Sequence, residues 1–246
     1  MSTMHGTAVL VTGGSRGIGA ATAVRLALEG ADVAFTYVQD EARAKEVAAR
    51  IEATGRKALP LRADAADAGD AAGAVHWAAD ALGRLDVLVN NAGIGVLGPL
   101  ESLALTDVDR VLAVNVRAAF LAAQAAAGRL PEGGRIITVG SCMTQRVPGP
   151  GGVLYALSKT ALIGLTKGLA RDLGGRGITA NLVHPGPVDT DMNPADGPYA
   201  EGQTALTALG RFGTPDEVAS MVAFLAGPEG RYVTGAEFSV DGGHAA

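Results

Sequence analysis

Short apolar runs rich in β-branched residues alternate with longer alanine-rich stretches along the whole chain. Seven runs read as strands: 7–12 (TAVLVT), 32–37 (DVAFTY), 57–62 (KALPLR), 86–90 (DVLVN), 135–139 (RIITV), 178–183 (ITANLV) and 236–240 (AEFSV). Helical stretches fall between them at roughly 17–29, 40–54, 67–82, 106–130, 153–174 and 215–226. Gly30, Gly55 and Gly83 stand where helices should end, because a left-handed residue there costs glycine little. Thr106 with Asp109, and Thr214 with Pro215 and Glu217, read as helix starts. Strand–helix alternation of this kind means βαβ units: an α/β fold, a mostly parallel seven-stranded sheet and helices on both faces. There is no linker-like tract and no fixed repeat, so residues 1–246 read as one domain. The main irregular stretch is 184–200, HPGPVDTDMNPADGPYA, which reads as a loop.

Composition narrows the function classes. A 246-residue chain with 48 % hydrophobic residues can bury a full core. A formal charge of −5 argues against a nucleic-acid surface. One cysteine, Cys142, permits no intrachain disulfide and fits a reducing compartment. No signal peptide and no membrane-length apolar run is visible, so a cytoplasmic location is expected. The four histidines form no close pair, and no metal site is expected.

In a parallel sheet, ligands bind beyond the carboxyl ends of the strands. Every unusual polar cluster follows a strand: GGSRGIG after the first, Tyr37 after the second, Asp64 after the third, NNAG after the fourth, Ser141 after the fifth and PGPVDT after the sixth. TGGSRGIG, with Gly13, Ser15, Arg16, Gly17, Ile18 and Gly19, opens a helix. Its glycines would let backbone N–H groups approach a pyrophosphate, and the helix N-terminus favours that charge. The second strand bears on cofactor choice. A carboxylate there binds the ribose 2′-hydroxyl of NAD, whereas a basic residue accommodates the 2′-phosphate of NADP. Asp32 begins its strand, at the wrong end of the sheet, and Tyr37 at the right end is uncharged. Arg16 is placed to meet a phosphate, while Asp40 and Glu41 oppose that reading unless they serve as helix N-terminal charge. NADP(H) is therefore expected over NAD(H).

These motifs together resemble the short-chain dehydrogenase/reductase family, in its single-domain branch, across essentially the whole chain. The resemblance rests on TGGSRGIG, NNAG at 90–93, Asn115, Ser141, Tyr155-x-x-x-Lys159 and PGPVDT at 185–190. It is strongest to bacterial 3-oxoacyl-carrier-protein reductase-like enzymes, and it implies a Rossmann-type, doubly wound fold. It also implies roles. Tyr155 would be the general acid in carbonyl reduction and the base in the reverse reaction. Lys159, one helical turn on, would pull the phenol pKa down from about 10 and hold the nicotinamide ribose. Ser141 would hydrogen-bond the substrate oxygen. The step from Ser141 to Tyr155 is one residue longer than the family's usual spacing, which Cys142 would satisfy. Ser141 is preferred because RIITVGS matches the family's strand and serine.

Asn115 shares a face with Val108, Val111 and Leu112, so its amide must be hydrogen-bonded; the family places it in a proton relay to Lys159. Asn91, Ala92 and Gly93 would line the ribose and nicotinamide side, and Asp64 with Ala65 the adenine. Pro185, Gly186, Val188 and Thr190 would meet the nicotinamide amide. A small carbonyl compound is the expected substrate, covered by a loop at about 187–210. Oxidative alcohol dehydrogenation with NAD(P)+ and a nucleotide-binding regulator on the same fold are the alternatives. VTGAEFSVDGG near residue 240 resembles the family's subunit-packing segment, which implies a homotetramer.

Overall fold

The computed structural model describes residues 4–246. Seven strands, β1 (Ala8–Val11), β2 (Asp32–Tyr37), β3 (Ala58–Arg62), β4 (Val87–Asn90), β5 (Arg135–Val139), β6 (Thr179–Pro185) and β7 (Glu237–Val240), form one sheet in the order β3-β2-β1-β4-β5-β6-β7. Every pairing is parallel. This is the doubly wound arrangement that the resemblance implies, with the parallel strands expected from the alternation. Successive strand residues point to opposite faces, and both faces are covered. Val9, Val11, Val33, Phe35, Val87, Val89 and Ile137 enter one core with helices α1 (Gly17–Leu28), α2 (Glu41–Glu52) and α8 (Pro215–Ala226). Leu10, Ala34, Leu88, Ile136 and Ala180 enter the other, with α3 (Ala68–Leu82) and α5 (Ala118–Ala127). The remaining long helix, α6 (Val153–Leu173), adds Leu162 and Leu173 to that side.

Local signals hold in detail. Gly30, Gly55 and Gly83 all have positive φ. Thr214 and Glu217 form a complete capping box with Pro215 in the first turn. Asp32 sits at the amino end of β2, where it pairs with Arg56 at 2.7 Å, away from the polar edge.

Three expectations are corrected. The helix expected at 106–130 is two helices, α4 (Leu105–Leu112) and α5, joined by a π-helical turn at Ala113–Arg117. Its start is Leu105 behind Ala104, so Thr106 caps nothing. The stretch expected to be a loop through residue 210 holds a seven-residue helix, α7 (Ala200–Leu206). Its Pro- and Gly-rich surroundings concealed a helix this short.

Candidate functional site

The carboxyl edge of the sheet is assembled by hydrogen bonds between segments far apart in sequence. After β1, the glycine turn is fixed from two sides. The Gly13 N–H donates to Thr36 Oγ1 at 2.9 Å. The Asn91 side-chain amide donates to the carbonyls of Thr12 and Gly13 at 2.9 and 3.0 Å. Thr12 Oγ1 in turn accepts from the N–H groups of Asn91 and Ala92, both at 3.0 Å. Asn91 thus spends its side chain on the turn itself. Thr12 and Thr36 were not singled out in the sequence, since a threonine in a strand is ordinary.

The shape of the turn suits a pyrophosphate. Gly13 and Gly17 have φ of 66° and 52°. A Cβ on Gly19 would lie 2.5 Å from the Asn91 amide nitrogen, and one on Gly14 would lie 2.6 Å from Phe35. The N-terminus of α1 has no side-chain cap and no acidic residue in its first turn. Its N–H groups and dipole are therefore left to an anion. Ser15 and Ile18 are half-buried and Arg16 is exposed around this opening. Beside it, Thr36, Ala63, Ala65, Ala71, Asn90 and Ala92 line a narrow slot with mostly apolar walls. In the loop after β3, the Asp64 carboxylate accepts from Ala66 N–H at 2.9 Å.

At the outer end, Tyr37 is half-buried opposite Arg62 of β3. Asp40 caps α2 by accepting from Arg43 N–H at 3.0 Å, and Glu41 pairs with Lys45 at 2.8 Å. Both acids therefore act within the helix. Arg43 is a basic residue that the sequence reading passed over, because it sits in the first turn of a helix and not at a strand end. Its guanidinium contacts Asp40 at 3.2 Å and also Asp191, which lies 3.7 Å from Arg16. Hydrogen bonding to Arg43 holds the Asp191 carboxyl below its ordinary range.

Asn115, Ser141, Tyr155 and Lys159 converge beyond β4 and β5. The π turn buries Asn115, whose Oδ1 accepts from Ile94 N–H at 2.9 Å. Its Nδ2 donates to Ile94 O and to Ser158 Oγ, each at 2.9 Å. The side-chain amide is thereby satisfied, as its apolar surroundings require. Both its hydrogens are engaged, so the side chain is held in one orientation. A Cβ on Gly93 would lie 3.2 Å from Lys159 Nζ and 3.4 Å from Asn115 Oδ1, which explains a glycine there. Lys159 is 4 % exposed, donates to Val139 O at 2.9 Å, and lies 5.9 Å from the Tyr155 ring centre. Burial pulls its pKa down from 10.5 to about 8.

Tyr155 is half-buried beside Ser141. Burial pushes the phenol above its ordinary value, and the Ser141 hydroxyl beside it only partly offsets that. The dominant cause is desolvation of the phenolate, with the Cys142 thiol adding to it. Cys142 points elsewhere: its sulfur lies 3.6 Å from His244 Nδ1, and burial with Asp241 nearby pushes its thiol up to about 11. A 3₁₀ turn follows at Cys142–Thr144, where Ser141 Oγ accepts from Met143 N–H at 3.2 Å. Behind it, the buried His184 accepts from Ser141 N–H at 3.3 Å and faces Glu237 at 3.2 Å, fixing the serine backbone from β6 and β7.

The segment after β6 closes the edge. Gly186 packs so tightly that a Cβ would lie 2.5 Å from Asp241 Cα. Pro185 ends β6, and Val188 is buried and bridged to Gly213. Thr190 carries its methyl to 3.3 Å from the Cβ position of Gly17, so this segment overhangs the glycine turn. Among the described residues, no group of three or more His, Cys, Asp or Glu is arranged to hold a metal, and no helix is long and apolar enough to cross a membrane.

A family model described as enoyl-(acyl carrier protein) reductase matches residues 13–245. A cyclic-di-GMP-binding biofilm dispersal mediator protein of Escherichia coli is 47 % identical, over 98 % of this chain and 98 % of its own. A 3-oxoacyl-[acyl-carrier-protein] reductase of Synechocystis is 38 % identical, over 99 % and 98 %. The crystal structure of a short-chain dehydrogenase from Burkholderia cenocepacia in complex with NADP superposes with a TM-score of 0.98 at 56 % identity, covering 99 % of this chain and all of that one. With the glycine turn, the YxxxK pair and the seven-stranded parallel sheet in one frame, the chain belongs to the short-chain dehydrogenase/reductase family of oxidoreductases.

Proposed function

We propose that this protein reduces a ketone or aldehyde carbonyl, of 3-oxoacyl or more general type, with NADPH. The observation that carries the reading is the Ser141 hydroxyl beside the Tyr155 phenol, with the Lys159 ammonium buried one turn on. The uncapped α1 N-terminus and the Arg16–Arg43 pair favour a phosphorylated dinucleotide, and the Burkholderia relative was crystallised with NADP.

Gly13, Ser15, Arg16, Gly17, Ile18 and Gly19 would hold the pyrophosphate and Ala65 would face the adenine. Tyr37 would flank the adenosine ribose. Ala92, Gly93, Pro185, Gly186, Val188 and Thr190 would frame the nicotinamide side. When bound, the reduced nicotinamide supplies the hydride. Ser141 donates its hydroxyl hydrogen to the substrate carbonyl oxygen and stabilises charge that grows there. Tyr155 gives its proton to that oxygen. A phenol is protonated at neutral pH and so has a proton to give, but burial raises its pKa, and the Lys159 ammonium is the group that would draw it back toward the working pH. Lys159, protonated for the most part below about pH 8, stabilises the phenolate left behind. Asn115 pins the 93–94 segment and Ser158, and so holds the surroundings of Lys159 in place.

The active unit in this reading is a single domain over 1–246, in a cytoplasmic homotetramer. Exposed Leu105, Phe120 and Leu157 on α4, α5 and α6 supply apolar surface for subunit contact. Light scattering at the mass of a monomer would remove the tetramer. For activity, NADPH and NADH consumption is followed against β-ketoesters, acyl thioesters, diketones and aryl ketones, with Tyr155→Phe as the inactive control. Turnover with NADPH on at least one class is expected. A strong preference for NADH would overturn the cofactor choice, and turnover only from alcohols with NAD(P)+ would reverse the direction. The Escherichia coli relative's name favours one further reading, a nucleotide-binding regulator. Tight cyclic-di-GMP binding without reduction of any panel member would favour it.

A further inference from the structure

The loop between β6 and α8 is held together mostly by its own contacts. Asn193 and Gln203 exchange side-chain amide hydrogen bonds at 2.8 and 3.0 Å, Thr190 and Asn193 form a tight bridge, and Asp189 accepts from Ala195 N–H at 3.0 Å. Its charged tie to the glycine turn and α2 is one side chain, Asp191, which contacts Arg16 and Arg43. These arginines stand beside the outer end of the cofactor cleft, and Asp191 is held over them by the segment whose Thr190 covers Gly17. A carboxylate thus occupies the two cations that a phosphate dianion in that corner would seek.

We propose that Asp191 is a specificity-determining residue for the ribose 2′-phosphate: it holds Arg16 and Arg43 in the free protein, yields them to the phosphate, and thereby unlatches the 190–206 loop. The argument is electrostatic. A phosphate dianion and a carboxylate sharing two guanidiniums repel each other, so arrival of one weakens the hold of the other. The pairs are solvent-exposed and therefore weak enough to exchange. A dinucleotide lacking the 2′-phosphate has nothing with which to displace Asp191. The loop would then open to substrate only after the phosphorylated cofactor is seated, which gives an ordered sequence of binding. This inference rests on the NADP(H) reading above.

Calorimetry with 2′,5′-ADP and with 5′-AMP, on the wild type, Asp191→Asn and Asp40→Asn, tests it alongside hydrogen–deuterium exchange of residues 190–206. Asp191→Asn should bind 2′,5′-ADP about three- to tenfold more tightly, with the gain shrinking at high salt and 5′-AMP unaffected. In the wild type, 2′,5′-ADP should speed exchange in the loop and 5′-AMP should not; in Asp191→Asn exchange should be fast already. Asp40→Asn removes a charge from the same arginine but not from the loop, so its loop should exchange as the wild type does. Equal affinity of wild type and Asp191→Asn for 2′,5′-ADP, or loop exchange indifferent to it, overturns the latch and leaves the cofactor reading standing. Failure of every variant to bind 2′,5′-ADP overturns both.

Discussion

The floor of the cleft and the loop above it are built in opposite ways. In the floor, polar groups are buried or half-buried and each is tied to a segment remote in sequence: Asn91 to the glycine turn, Asn115 to Ile94 and Ser158, Lys159 to Val139 O and His184 to the Ser141 backbone. In the loop, Met192, Tyr199 and Leu209 are exposed, and the polar contacts are mostly local. Buried, satisfied polar groups are costly to disturb, so the floor holds one geometry. A loop with few buried apolar groups opens at low free energy. In the proposed function, that difference would leave the reaction to the floor and the choice of substrate to the loop.

The comparison breaks first, if at all, at Ser141. Ser141→Ala should lower kcat about 10²–10³-fold while Cys142→Ala leaves it near wild type, because the serine hydroxyl hydrogen-bonds the phenol while the sulfur contacts His244. The reverse pattern in steady-state kinetics would move the substrate-facing group to the cysteine.

Lys159 tests whether the floor sacrifices stability for its chemistry. A fall from 10.5 to about 8 means the folded state disfavours the ammonium by about 3 kcal/mol. The unfolded chain keeps that proton between pH about 8 and 10.5 while the folded chain releases it, so this residue makes stability rise with pH across that window. Below about pH 8 the penalty is complete. Lys159→Met should therefore abolish turnover yet stabilise the free protein at pH 7. The net gain is about 1–2 kcal/mol, after about 1–2 kcal/mol is lost at the unpaired Val139 carbonyl. That advantage should fade toward pH 10.5, and denaturant unfolding at pH 7 and pH 10 measures it. A variant weaker than wild type at pH 7 would show that the lysine is not held at a cost.

The smallest effect belongs to the loop. Asn193→Ala removes the amide exchange with Gln203 and should cost less than about 1 kcal/mol of stability. It should raise KM a fewfold with kcat nearly kept. A large loss of kcat instead would make the loop part of the reacting machinery.

The same division explains what the sequence could disclose. The seven strands, the two covered faces of the sheet and the glycine caps follow from local periodicity and backbone demands, whereas Ser141, Tyr155 and Lys159 were legible through the motifs shared with the family. The contact from Asp191 to Arg43 spans 148 positions and had no local signal. Arg43 was hidden by the two acids just before it, whose roles are settled only by Asp40 capping α2 and Glu41 meeting Lys45. The rise in the Tyr155 pKa was out of reach because desolvation depends on everything packed around the ring. The π turn was out of reach because Ala113–Arg117 reads as ordinary helix.

That turn makes the aim of Asn115 a matter of counting. A π turn carries one more residue than the α turn it replaces, and each residue rotates a helix by about 100°. Deleting Val116 would leave every side chain that meets Ile94 and Ser158 in the sequence, yet would let the turn close to an ordinary α turn and re-aim Asn115. A graft of this site onto another helix must therefore copy its length before it copies its letters.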